Sequence, residues 1–303
     1  MSGTELYAPR GPRHRRTWSV AAIVLMIVFF VAGQLLSVFG IERPLGYHST
    51  DLDTQWRPVA IMLAGFGFTA LLILAWARLF ERRPPATLGL NRKAFVRYMR
   101  GLFIGFGCLA AVVGLAWALG AYRIEGAGVW TAPTPALFIP ILCLFAGYMI
   151  QSGTEELMFR GWILQLVASR HGLVLGVVVN TVVFAAMHAG NEAPSASLAL
   201  GLANLLLFGG MLSLYAIREG SLWGVCAWHA AWNTLLGVGF GLDVSGSRIA
   251  VPSLIVDLAP APGAPWWLTG GTFGPEASVA TTVVLLAGCL ILLARRRAAP
   301  VAA

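Results

Sequence analysis

The chain has 303 residues, 58% of them hydrophobic and only 11% charged. Soluble domains carry about 25% charged residues, so a chain this poor in charge belongs in a bilayer. Its formal charge of +8 is almost all arginine, with Lys93 the single lysine. These side chains sit at the ends of apolar runs and not along one polar face, which excludes a nucleic-acid-binding protein.

In chain order, residues 1–16 read as a cytoplasmic arm carrying Arg10, Arg13, Arg15 and Arg16. The apolar run at 17–40 is too long for the core of a signal peptide and lacks a small-residue cleavage site, so it reads as a first anchor. A spanning helix needs about 20 apolar residues. Further runs at 58–78, 99–121, 135–153, 172–188, 197–216, 221–241 and 277–294 bring the total to about eight spans. The expectation is an all-α, polytopic transmembrane bundle over 17–294. Arg82-Arg83-Pro84-Pro85 ends the second span, because proline forces the chain out of helix. After the fourth span, 154–170 continues with helical periodicity, which leaves its boundary open. The 242–276 loop is rich in proline and glycine and contains Trp266 and Trp267. It reads as an irregular loop with aromatics at the interface, or as a cap over an outer cavity. Residues 295–303 form a short tail.

Charge sets the expected orientation. The arm, the loop after the second span, the turns at Arg170 and Arg218 and the tail gather sixteen of the 21 basic residues. The alternate loops hold four, and Arg160 alone lies inside an apolar segment. Basic excess marks the cytoplasmic side, so both termini are expected there, in a multi-pass protein of the cell membrane. The cysteines Cys108, Cys143, Cys226 and Cys289 lie singly in apolar stretches and read as inert buried thiols. The glycine pairs Gly101/Gly105, Gly172/Gly176 and Gly237/Gly241 read as sites of close helix packing.

Glu155, Glu156, Arg160, His188, His229 and Asn233 all fall in or beside apolar segments. Ionisable groups there are costly, and they usually face a polar interior where they have a task. Glu156 and Arg160, four apart, can pair on one helix face. Glu155 lies about 100° around the helix from Glu156, so one carboxylate can be pinned while the other faces a cavity. Asn180, Phe184 and His188 share one stripe, and His229 and Asn233 can point at one spot. Asn180 and Asn204 read as interhelical hydrogen-bond glue. Counting back from the turns, Glu155 and His188 stand at similar depth. His229 joins them only if the hairpin at 169–172 protrudes on the cytoplasmic side.

These residues form a pattern, Glu155-Glu156-Leu157-Met158-Phe159-Arg160, then Phe184-Ala185-Ala186-Met187-His188, then His229-Ala230-Ala231-Trp232-Asn233. In order and spacing it resembles the CAAX protease and bacteriocin-processing family, which includes type II CAAX prenyl endopeptidases. Thr87-Leu88-Gly89-Leu90 resembles a short element these proteins carry ahead of the core, so the resemblance covers about 84–240. It implies an eight-helix intramembrane fold and hydrolysis of a peptide bond. Glu155 and His188 would then activate a water, His229 and Asn233 would bind the oxyanion, and Glu156 and Arg160 would support the site. The residue types suit that chemistry, since hydrolysis needs a base near the water and donors at the developing oxyanion.

Glu155, His188 and His229 are also zinc ligands by type, although the H-E-x-x-H helix of zinc proteases is absent. No cofactor is required by the sequence, and a divalent metal stays an open alternative. The expected partners are the bilayer and a membrane-associated protein or peptide substrate. A non-catalytic scaffold or peptide-binding immunity protein of the same fold is the alternative. A transporter fits less well, because paired half-repeats are missing. An arginine- and alanine-rich chain with one lysine suggests a bacterial source.

Overall fold

The computed structural model describes residues 5–9, 11–46 and 59–294. In a bilayer core the backbone must satisfy its own hydrogen bonds, so apolar runs become helices. Five helices are long and apolar enough to cross a membrane. They are α1 (Ser19–Glu42), α2 (Ile61–Leu79), α3 (Ala94–Ala118), α4 (Pro135–His171) and α6 (Ala196–Glu219). The other three expected spans are shorter helices: α5 (Leu173–Met187), α7 (Trp223–Thr234, continued by a π turn over Leu235–Gly239) and α8 (Val279–Ala294). The protein is an all-α membrane bundle.

The open boundary after the fourth span resolves into one helix. α4 runs for 37 residues, about 55 Å at 1.5 Å per residue, against a hydrocarbon core of about 30 Å. Its middle, Leu157–Ile163, widens into a π-helix. It stops at Gly172, whose φ of 92° lies where only glycine sits without strain, and α5 starts at the next residue. Ser195 opens α6, its hydroxyl accepting from the Leu198 amide at 2.9 Å.

Loop contacts sort the bundle into two ends. At one end, Tyr7 Oη donates to the Arg160 carbonyl (3.0 Å) and Arg170 donates to the Thr17 carbonyl (2.7 Å). Burial, with Glu156 beside it, raises the Tyr7 pKa, which keeps that donor protonated. At the same end Gln165 donates to the Thr87 carbonyl (2.9 Å), and the Leu222 amide donates to Gly89 (2.9 Å). The 87–90 element therefore braces the entry to α7. At the other end, β1 (Tyr122–Gly126) and β2 (Asp257–Pro260) form a two-stranded antiparallel sheet in the register Tyr122↔Pro260 and Ile124↔Leu258. That pairing ties the loop after α3 to the 242–276 segment, which is more ordered than its composition predicts.

α3 lies directly against α7. A Cβ on Gly105 would stand 2.5 Å from the Trp228 carbonyl and 2.9 Å from the Ala231 Cβ, and one on Gly101 would overlap the Gly224 carbonyl. This close approach fixes α7, which carries His229 and Asn233. Asn180 and Asn204 act as helix-to-helix links, Asn180 donating to the Ser213 hydroxyl of α6 (2.7 Å) and Asn204 accepting from the Thr282 hydroxyl of α8 (2.7 Å).

Candidate functional site

Helices α4, α5, α6 and α7 surround a cavity of about 510 Å³, within the range typical of small-ligand and substrate sites. Tyr148, Gln151 and Glu155 line it from successive turns of α4, His188 from the end of α5, and His229 and Asn233 from α7. Because α5 has only 15 residues, its C-cap His188 lines the same cavity as Glu155 and does not stand at the end of a full span.

The two neighbouring glutamates diverge. Glu156 is fully buried. Its Oε1 accepts from Arg160 Nη1 at 3.0 Å and from His229 Nδ1 at 2.9 Å. Arg160, equally buried, also donates to the Gly209 carbonyl at 3.3 Å and lies 4.6 Å over the Phe184 ring. Glu155 faces the cavity. Its Oε1 accepts from Gln151 Nε2 at 2.5 Å. Its Oε2 has no hydrogen-bond partner and stands 3.8 Å from His229 Nε2. Gln151 is itself held through Oε1, which accepts from Asn233 Nδ2 at 3.0 Å. An Asn233–Gln151–Glu155 chain thus links α7 to α4.

Partner chemistry sets both histidines. His188 Nδ1 lies 2.8 Å from the Phe184 carbonyl. A carbonyl only accepts, so Nδ1–H donates and Nε2 is the free nitrogen. His229 Nδ1 meets a carboxylate, and the same reasoning places a proton there and turns Nε2 toward Glu155. Phe208 packs on the His229 ring at 4.9 Å between centroids and fixes its plane. The π segment begins immediately after Glu156. Such widenings recur at functional sites, and this one follows the glutamates and contains Arg160.

Every residue singled out from the sequence reaches this region. Arg160 and Glu156 stand behind the cavity wall, and the other four line it. Glu156 takes His229 as well as Arg160, a bond that spacing within one helix has no means of revealing. His229 does reach the level of the glutamates, and the length of α4 supplies the required protrusion. Sequence reasoning misses Gln151, Tyr148 and Glu276. Gln151 and Glu276 are polar groups flanking apolar runs, a signal open to the same argument as Glu155. Tyr148 is buried with its hydroxyl unpartnered. Glu276 Oε1 accepts from Trp232 Nε1 at 3.0 Å, and its Oε2 accepts from the Ser245 amide and hydroxyl at 2.5 and 2.8 Å. This pins the 242–276 segment to α7. Val244, Ser245, Ser247, Arg248 and Ile249 of that segment line the cavity, as a cap would.

Among the described residues, no three His, Cys, Asp or Glu side chains stand close enough together to hold a metal ion. As they stand, Glu155, His188 and His229 do not form a zinc ligand set.

Residues 132–235 match the family model of type II CAAX prenyl endopeptidases, Rce1-like. That segment is a CAAX-protease-family domain. All three motifs lie inside it, from Glu155-Glu156 to Asn233. In this CAAX-protease-family domain the match covers α4 through α7, the helices that bring Glu155, His188, His229 and Asn233 to the cavity, while Phe30 of α1 and Ile61, Met62 and Phe66 of α2 line it from outside the match. It leaves the 87–90 element and the 242–276 cap outside. No curated protein matches the chain.

Proposed function

We propose that the chain is an intramembrane endopeptidase that hydrolyses a peptide bond of a membrane-associated protein or peptide. The observation that carries this reading is the convergence of Glu155, His188, His229 and Asn233 on one cavity inside a CAAX-protease-family domain. Glu155 Oε2, left without a partner, is the general base for a water held between it and His188 Nε2. Such a base contributes about 10²–10⁴-fold to the rate. The second amide N–H of Asn233 and the Nε2 edge of His229 stabilise the oxyanion, worth about 10²–10³-fold per donor. His229 donates from Nε2 as an imidazolium, whose charge the Glu156 carboxylate offsets. The proton taken by Glu155 passes to the leaving amine as the C–N bond breaks. Arg160 keeps Glu156 in place and touches no reacting atom.

No step in this account uses a metal. We place the protein in the cell membrane, with the bilayer and the substrate as its partners. Purified protein in detergent is expected to cleave a peptide substrate, with the cleavage lost in Glu155→Ala and in His188→Ala. Full cleavage by Glu155→Ala refutes the assignment. Peptide binding without cleavage, unchanged in both variants, favours a non-catalytic scaffold or immunity protein of the same fold.

A further inference from the structure

The two ends of the bundle contribute unequally to the cavity. Ser245, Ser247, Arg248 and Glu276 of the 242–276 segment line it, as does Asn191 of the turn after α5. None of its lining comes from the turns at 80–93, 170–172 or 218–222. Toward those turns the cavity is floored by Phe159, Phe184 and Phe208. Behind this floor Arg160 and Trp162 are fully buried. Entry through the floor would have to part stacked aromatic rings and expose the Arg160–Glu156 pair.

The same two ends differ in charge. Among the described residues, the closed end carries twelve basic residues and three acidic ones, Glu5, Glu81 and Glu219. The end bearing the mouth carries, among the described residues, three basic residues and six acidic ones. Loops rich in arginine and lysine stay on the cytoplasmic side, and acidic residues weigh little in that rule. The excess is large and lies in short segments, where the rule acts most strongly. The mouth wall is mixed: Ile61 and Met62 of α2 line it beside Ser247 and Arg248, so it offers an extended peptide both an apolar side and a polar side.

We propose that the cavity is entered from the non-cytoplasmic side of the membrane, so that the substrate is a peptide segment exposed at the outer surface or in the outer half of the bilayer. The sidedness rests on charge and cavity shape alone, and the substrate class rests in addition on the endopeptidase reading. Cytoplasmic peptides reach the site only after export. Trp266 and Trp267, half-exposed on the same segment, would rest at the outer interface beside the mouth.

Labelling with a membrane-impermeant maleimide tests the sidedness in cells carrying the full chain, with the wild-type protein giving the background of its four native cysteines. Ser247→Cys at the mouth is expected to react in intact cells. Arg92→Cys, at the opposite end, is expected to react only after the membrane is opened. Ala250→Cys, further along the exposed segment, repeats the mouth reading if Ser247→Cys fails to accumulate. The reverse pattern, or mouth cysteines that react only in opened cells, overturns the proposal. In right-side-out vesicles, an impermeant peptide added outside is then expected to be cleaved by wild type and not by Glu155→Ala. Outward labelling without cleavage of any peptide leaves the sidedness standing and overturns the endopeptidase reading together with the substrate class. Cleavage only in inside-out vesicles overturns the sidedness and leaves the endopeptidase reading intact.

Discussion

Replacing Arg160 with methionine removes one member of a fully buried ion pair while nearly preserving volume. Arg160 loses its bond to Glu156 at 3.0 Å, its bond to the Gly209 carbonyl at 3.3 Å and its place over the Phe184 ring. Breaking a buried pair by removing one partner costs about 3–5 kcal/mol, chiefly because the remaining charge is stranded. Here His229 still donates to Glu156 at 2.9 Å, so the cost belongs at the lower end, about 3 kcal/mol. At about 2.1 cal/mol/K of unfolding entropy per residue, a chain of this size loses about 5 °C from its unfolding midpoint. Thermal unfolding in detergent micelles measures it. The double variant Arg160→Met/Glu156→Gln removes the stranded carboxylate and is expected to recover most of the loss. A single variant that melts with wild type, or a double variant that melts lower than the single, would refute the reasoning that Glu156 is a buried anion held by two donors.

Other predictions concern the links around the cavity. Gln151→Ala removes a bond to the Glu155 carboxylate and the partner of Asn233, and bonds to charged groups are worth about 1.5–3 kcal/mol. A fall in kcat of about 10–100-fold with little change in KM is therefore expected, while a change confined to KM would assign Gln151 to substrate binding. Gly105→Leu forces a side chain into the 2.5 Å approach to the Trp228 carbonyl. It is expected to destabilise the bundle by about 1–3 kcal/mol, and an unchanged melt would show that α3 and α7 are not tightly packed. Glu276→Ala strands Trp232 and Ser245 and is expected to speed proteolytic nicking within 242–276, and equal nicking rates would remove the latch role. Activity is expected to persist after chelation of divalent metals, and loss that zinc alone restores would bring Glu155, His188 and His229 together as ligands.

The spans were legible because a bilayer demands long apolar runs, a constraint visible in composition alone. The divergence of Glu155 and Glu156 was legible too, since adjacent helical residues are rotated by a fixed angle. The limits of such reasoning appear wherever an interaction crosses between helices. His229 on Glu156 and Asn233 on Gln151 join residues more than 70 positions apart, and periodicity within one segment carries no trace of them. Hydropathy says nothing of the π widening at Leu157–Ile163, because it changes backbone pairing and not side-chain polarity. The sheet between β1 and β2 was invisible for a related reason. Its strands are short and lie in proline- and glycine-rich loops, and only their juxtaposition at one end of the bundle makes them pair. Tyr7 belongs to the arm, whose arginines suggested only a solvated cytoplasmic segment, yet it reaches the carbonyl of Arg160.

The central claim is that Glu155 and its neighbours hydrolyse a peptide bond. Comparing protein termini in membrane fractions from cells carrying wild type, Glu155→Ala or His188→Ala tests it most directly, and it does so whatever the substrate is. The account predicts that at least one protein is found cleaved with wild type and accumulates uncleaved with both variants. Identical termini in all three, with the variants folded and present at wild-type levels, would contradict it.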